Sequence, residues 1–168
     1  MHGLEIERKW LLDLSNIPRD FDSAEKIQRI EQAYVSFSPT IRIRMINEEQ
    51  FILTVKSHGG TGSGKFSRIE YELEISGEEY RSLMQKHEGN VIRKTRYVFP
   101  AENGLKEEVD IFSGDLAGLA YLEIEFPDEA SAADYPDPEF ALRDVSDDKR
   151  YTNAALARDG IRDGITLQ

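Results

Sequence analysis

The chain has 168 residues, no cysteine, and 32 acidic against 21 basic residues, for a formal net charge of −11. These counts exclude disulfides, thiolate metal sites and a cysteine nucleophile, and they oppose bulk attraction to nucleic acid or an anionic membrane. No apolar run approaches the ~20 residues of a membrane span and no apolar signal segment opens the chain, so one cytoplasmic domain of bacterial or archaeal type is expected over residues 1–168.

The first predicted element is a strand, Leu4 to Trp10, with Glu5, Glu7 and Lys9 on one face and Leu4, Ile6 and Trp10 on the other. Asp13 to Ser23 reads as a loop, and a strand follows from about Gln28 to Phe37. After a Ser38-Pro39 turn, Thr40 to Ile46 alternates with Arg42 and Arg44 on one face. Asn47 to Gln50 turns the chain into a strand from Phe51 to Ser57 that carries Lys56. A Gly-rich stretch then leads to an alternating strand, Phe66 to Ser76, with Glu70 and Glu72 on one face.

Ser76 with Glu79 forms a capping box for a helix to about His87, stopped by Gly89. Three more strands follow: Val91 to Phe99 with Lys94 and Arg96, Lys106 to Phe112 with Glu108 and Asp110, and Ala120 to Phe126 with Glu123 and Glu125. The last third is predicted to be helical, over Asp128–Asp134, Glu139–Leu142 and Lys149–Arg158, with Gly160 closing the final helix.

Gly59 to Lys65 matches the glycine-lysine part of a phosphate-binding P-loop. The next residue is Phe66 where the motif needs Ser or Thr, and the stretch leads into a strand rather than a helix, so a hairpin loop is the simpler reading. His2, His58 and His87 are scattered and form no metal motif.

The informative pattern is distributed. Seven of eight predicted strands carry charges along one face, and the charges come as like pairs such as Arg42/Arg44, Glu70/Glu72, Lys94/Arg96 and Glu123/Glu125. A sheet with one wet face is the plain alternative. Like charges two apart on a strand repel unless something neutralises them. A sheet closed on itself with that face inward would make a tunnel with acidic and basic walls. Such walls suit phosphoryl transfer, with Arg and Lys on phosphate oxygens and paired carboxylates on Mg²⁺ or Mn²⁺.

The series Glu5-Ile6-Glu7-Arg8-Lys9, Arg42-Ile43-Arg44, Thr54-Val55-Lys56, Arg68-Ile69-Glu70-Tyr71-Glu72, Lys94-Thr95-Arg96-Tyr97, Val109-Asp110-Ile111-Phe112 and Leu122-Glu123-Ile124-Glu125-Phe126 resembles the triphosphate tunnel metalloenzymes, the CYTH superfamily. The resemblance continues into Asp148-Lys149-Arg150-Tyr151-Thr152-Asn153 and departs only where Ala33 stands in place of an expected glycine. It implies a mainly β fold, a closed eight-stranded antiparallel barrel with a charged interior and a few peripheral and C-terminal helices.

By that resemblance Lys9, Arg42, Arg44, Lys56, Lys94 and Arg96 bind the triphosphate. Glu5, Glu7, Glu70, Glu72, Asp110, Glu123 and Glu125 hold Mg²⁺ or Mn²⁺, and Glu5 or Glu7 orients the attacking water, with Lys9 beside them in the catalytic set. The short, one-domain chain most resembles the small bacterial members of that family, and the resemblance implies hydrolysis of inorganic triphosphate. Adenylyl cyclase of class IV type and thiamine triphosphatase are the alternatives, and a non-catalytic polyphosphate-binding module is the reading outside enzymes. Neither nucleic acid nor membrane is an expected partner, and a homodimer is left open. Lys149, Arg150 and Tyr151 lie on a C-terminal helix that either plugs one end of the barrel or lies on its surface. Arg8 falls on the opposite face, with a structural role.

Overall fold

The computed structural model describes residues 2–57 and 67–161. The Gly-rich stretch, with His58 and Lys65, lies outside the described residues. Nine strands form one antiparallel sheet: β1 (His2–Leu12), β2 (Lys26–Phe37), β3 (Thr40–Ile46), β4 (Gln50–Ser57), β5 (Ser67–Glu74), β6 (Glu88–Pro100), β7 (Lys106–Phe112), β8 (Ala120–Glu125) and β9 (Ala141–Asp144). Three short helices are α1 (Gly77–Met84), α2 (Glu129–Asp134) and α3 (Asn153–Asp159).

The sheet runs in the order β5-β4-β3-β2-β6-β7-β8-β1-β9. The closed eight-stranded barrel expected from the sequence is therefore corrected. β1 reaches β5 only through His2–Ile6, while Glu7–Leu11 pairs β8. Over Trp10–Leu12 the edge of β1 away from β8 is taken by a ninth strand, β9. The segment 139–142, expected as helix, instead supplies the first half of this strand, Ala141 and Leu142, because the backbone there finds partners on β1 that a four-residue helix would lack.

Alternation sorts the side chains into two faces. On the convex face, Trp10, Leu12, Val109, Leu122 and Ile124 are buried beneath the 13–25 loop and α2. Ala33 and Ile43 are buried beneath α1, where Tyr80 packs on them. The capping box expected at Ser76 and Glu79 starts α1, with each residue bonding the other's backbone. Arg8 also points to this face. It donates to Asp137, Asp144 and the carbonyls of Ala132 and Tyr135, so it fastens α2 and β9 onto β1.

The opposite face is concave and changes character along its length. At one end Leu11, Tyr34, Ile92, Phe112 and Tyr121 are apolar or aromatic, and the C-terminal residues Val145, Tyr151, Leu156 and Ala157 bury them. Residues 149–151 form a single 3-10 turn and α3 starts at Asn153, so the predicted helix from Lys149 is interrupted. Thr152 caps α3 by accepting from the Ala155 N–H.

Gly89 does not stop a helix. It lies inside β6 at φ +68°, where a Cβ would stand 2.4 Å from the Ala157 carbonyl oxygen and 3.0 Å from the Phe37 ring. Both the backbone angle and the close approach of α3 demand glycine here. Gly89→Ala is expected to lower stability by about 1–3 kcal/mol, read as a lower urea midpoint. An unchanged midpoint would show that α3 yields freely.

Candidate active site

The cross-strand register places the charges of the concave face side by side. Glu7 stands opposite Glu125, Lys9 opposite Glu123, Glu108 opposite Glu123, and Arg96 opposite Asp110. Lys56 stands opposite Glu70, and Arg42 opposite Thr54, which itself faces Glu72. Two of these are like-charge pairs, which a plain structural sheet would avoid.

Three of the cations are locked by carboxylates. Asp110 is fully buried; it takes a hydrogen bond from Lys94 and two from Arg96, at 2.7 and 2.8 Å. Burial alone would raise the Asp110 pKa, but Arg96 and Lys94 outweigh it and hold the carboxyl below its ordinary value. Glu123 pairs Lys9 at 3.1 Å and Arg96 at 2.8 Å. Against its own burial, Lys9 and Arg96 hold it well below the usual carboxylate range. Glu108 adds a third acid to Arg96.

Arg42 and Arg44 are held differently. Arg42 is buried and donates to Thr54 Oγ1 at 3.1 Å, with Glu72 at 3.7 Å and Glu70 at 3.9 Å. Its Nε is buried without a hydrogen-bond partner. Arg44 donates through Nε to Gln32 Oε1 at 3.1 Å. Burial, then the neighbouring Arg42 and Arg96, push its pKa down to about 10.

The acidic side is formed by Glu5 and Glu7 on β1, Glu70 and Glu72 on β5 and Glu125 on β8. Lys56 bridges Glu70 and Glu5. Burial and then the Glu7 carboxylate raise the Glu5 pKa to about 8, Lys56 opposing them in part. Glu125 is raised by burial and then by Glu7 and Glu70.

Among the described residues no group of three or more carboxylates or imidazoles is placed to hold a metal ion. The donor set still fits one by chemistry. It is all hard carboxylate oxygen, the kind Mg²⁺ and Mn²⁺ prefer, and its mutual repulsion is what a divalent cation relieves.

A cavity of about 360 Å³ opens on this face, lined by Glu7 and Lys9 of β1, Arg42 of β3 and Lys56 of β4, with Lys149 and Asn153 from the C-terminal segment. The structure thus brings Glu7, Lys9, Arg42 and Lys56 to one space. Glu5 and Glu70 adjoin it through Lys56. Lys94, Arg96, Asp110 and Glu123 form the locked cluster behind Lys9. Charge patterning left out three polar residues of the same face. Glu108 was legible on the alternation but was not placed in the site. Gln32 and Thr54 are uncharged and gave no signal until the register set them against Arg44 and Arg42.

The CYTH domain matches residues 3–144, and the chain belongs to that family. It is 36% identical over 157 residues to a protein named inorganic triphosphatase from Nitrosomonas europaea, covering 91% of this chain and 96% of that one. A second inorganic triphosphatase, from Acetivibrio thermocellus, is 38% identical over 159 residues, covering 93% and 94%. A crystal structure of the inorganic triphosphatase NE1496 superposes with a TM-score of 0.64 at 30% identity, over 91% of this chain and 93% of that one.

Proposed function

We propose that this chain hydrolyses inorganic triphosphate to pyrophosphate and phosphate with the help of a divalent cation, Mg²⁺ or Mn²⁺. The observation that carries the reading is the split of the concave face. Arg44 has no carboxylate within ion-pair distance among the described residues, and Arg42 reaches Glu72 and Glu70 only at 3.7 and 3.9 Å; the two face an acidic group, Glu5, Glu7, Glu70, Glu72 and Glu125, in which Lys56 bridges Glu5 and Glu70. A triphosphate with a bound divalent cation satisfies both sides at once. The names of the relatives supply the substrate.

In this reading Arg42, Arg44, Lys56 and Lys9 hold the phosphate oxygens. Lys94 and Arg96 add to the positive potential while their own geometry is fixed by Asp110 and Glu123. Glu5, Glu7, Glu70, Glu72 and Glu125 would hold the cation, with Asp110 and Glu123 reaching it only by releasing Lys94, Arg96 and Lys9. Bound there, the cation would neutralise phosphate charge and lower the pKa of a water. Glu5 or Glu7 aligns an attacking water behind the terminal phosphorus and takes its proton as the new phosphorus–oxygen bond forms. The bond from phosphorus to the bridging oxygen breaks and pyrophosphate leaves. Lys9 stabilises charge on the transferred group.

The test is phosphate release from inorganic triphosphate, thiamine triphosphate, ATP and pyrophosphate, with Mg²⁺ and Mn²⁺ in separate series and chelator as control. Inorganic triphosphate is expected to turn over fastest, and chelator to abolish release. A protein inert on the whole panel, or one that turns ATP into cyclic AMP, overturns the reading.

A further inference from the structure

The concave face fixes its arginines in two chemically different ways. Arg96 is enclosed by Asp110, Glu108 and Glu123. Arg44 has no carboxylate within ion-pair distance among the described residues; its side-chain hydrogen bond goes to Gln32. Gln32 is fully buried on β2, directly across from Arg44. The Arg44 Nε is a donor, so the amide must turn its oxygen to it. That leaves Gln32 Nε2 buried with no hydrogen-bond partner.

A buried amide with an idle donor is costly, and native proteins keep few of them. A methionine would fill similar space without the unmet donor. A glutamate would pair Arg44 more strongly, but it would cancel the charge. Gln32 is the choice that holds the guanidinium still and leaves its charge uncompensated. The unpartnered Nε of Arg42, two residues along β3 on the same face and opposite Tyr34, adds a second buried donor without an acceptor. Two such donors on neighbouring strands call for a ligand rich in acceptor oxygens.

We infer that Gln32 is a positioning residue for the triphosphate. It fixes Arg44 through a neutral acceptor, so that the guanidinium keeps its whole charge for the anion, and its Nε2 stands ready for an oxygen of the same ligand. This rests on the reading that triphosphate occupies the concave face.

The experiment compares the parent protein with Gln32→Glu and Gln32→Met. Affinity for inorganic triphosphate is measured by calorimetry in chelator, where no turnover occurs, and kcat and KM are measured with Mg²⁺. Losing a hydrogen bond to a charged group is expected to weaken binding and raise KM about 10-fold in Gln32→Met. Gln32→Glu, which keeps an acceptor but neutralises Arg44, is expected to do so about 10- to 100-fold, with kcat changed far less in both. Folded variants that bind and turn over like the parent, differing only in melting temperature, overturn the inference in favour of a structural role. Weaker binding in Gln32→Met with parental binding in Gln32→Glu overturns the neutral-acceptor argument. If the parent binds triphosphate without releasing phosphate, the hydrolase reading falls and the affinities alone decide on Gln32. If the parent neither binds triphosphate in chelator nor releases phosphate from it with Mg²⁺, both fall; if it turns triphosphate over with Mg²⁺ but binds none in chelator, the inference about Gln32 falls and the hydrolase reading stands.

Discussion

Asp110→Ala is expected to cost the protein about 3–5 kcal/mol, the range for stranding a buried charge by removing its partner. Lys94 and Asp110 are both fully shielded from solvent, and Asp110 is the one carboxylate within ion-pair distance of Lys94 among the described residues. Arg96 would retain Glu108 and Glu123, but Lys94 would be left with the Phe112 ring 5.5 Å away. A loss of that size is a large part of the 5–15 kcal/mol that holds a domain folded. Urea denaturation of the parent, Asp110→Ala and Asp110→Asn measures it. Asp110→Asn should fall between the others, since the amide oxygen still accepts from Arg96. A parental midpoint for Asp110→Ala would mean that Lys94 sheds its proton or finds another partner, and the locked cluster would lose its structural meaning.

Lys9→Met is expected to lower kcat/KM for inorganic triphosphate by about 10²–10³-fold while leaving the fold intact, the scale seen when one preorganised charge donor is removed. The methionine keeps much of the apolar stem and loses the ammonium that lies 5.0 Å from the centre of the Tyr121 ring. Glu123 does not become an unpaired buried acid, because Arg96 still holds it at 2.8 Å. The two substitutions therefore separate stability from catalysis within one network. Steady-state rates with circular dichroism on the same preparations check this. A parental rate would remove Lys9 from the site, and a collapsed spectrum would show that its pairing with Glu123 is structural first.

Much of the charged face was readable before any coordinates, for a simple reason. A strand has a side-chain period of two, so Glu5/Glu7/Lys9, Arg42/Arg44 and Glu70/Glu72 declare their shared face in one dimension. The partners across strands were not readable, because they depend on register. Glu7 opposite Glu125 could not be told from Glu7 opposite a lysine until β1 and β8 were aligned. Gln32 stayed hidden for the same reason, as a neutral residue among charged neighbours.

The errors of topology have a related cause. Ala141 to Asp144 is too short for periodicity to show, and it is a strand only because β1 offers an open edge. Gly89 looked like a helix stop because positive φ serves that role often. Here the same freedom serves a close approach between β6 and α3, a tertiary fact without a local signature.

The bond from the Lys9 amide to the Ser146 hydroxyl joins residues 137 apart in sequence, and the Val145 amide returns the contact to the Lys9 carbonyl. This fixes when the site can exist. During synthesis Glu5, Glu7 and Lys9 leave the ribosome well before the residues that pin their strand, Ser146 standing 137 positions after Lys9. A nascent chain shorter than about Ser146 therefore holds the charged residues without the frame that aims them. Pairings of such long range also make for slow folding. The frame that aims Lys9 is complete only once Val145 and Ser146 have been made.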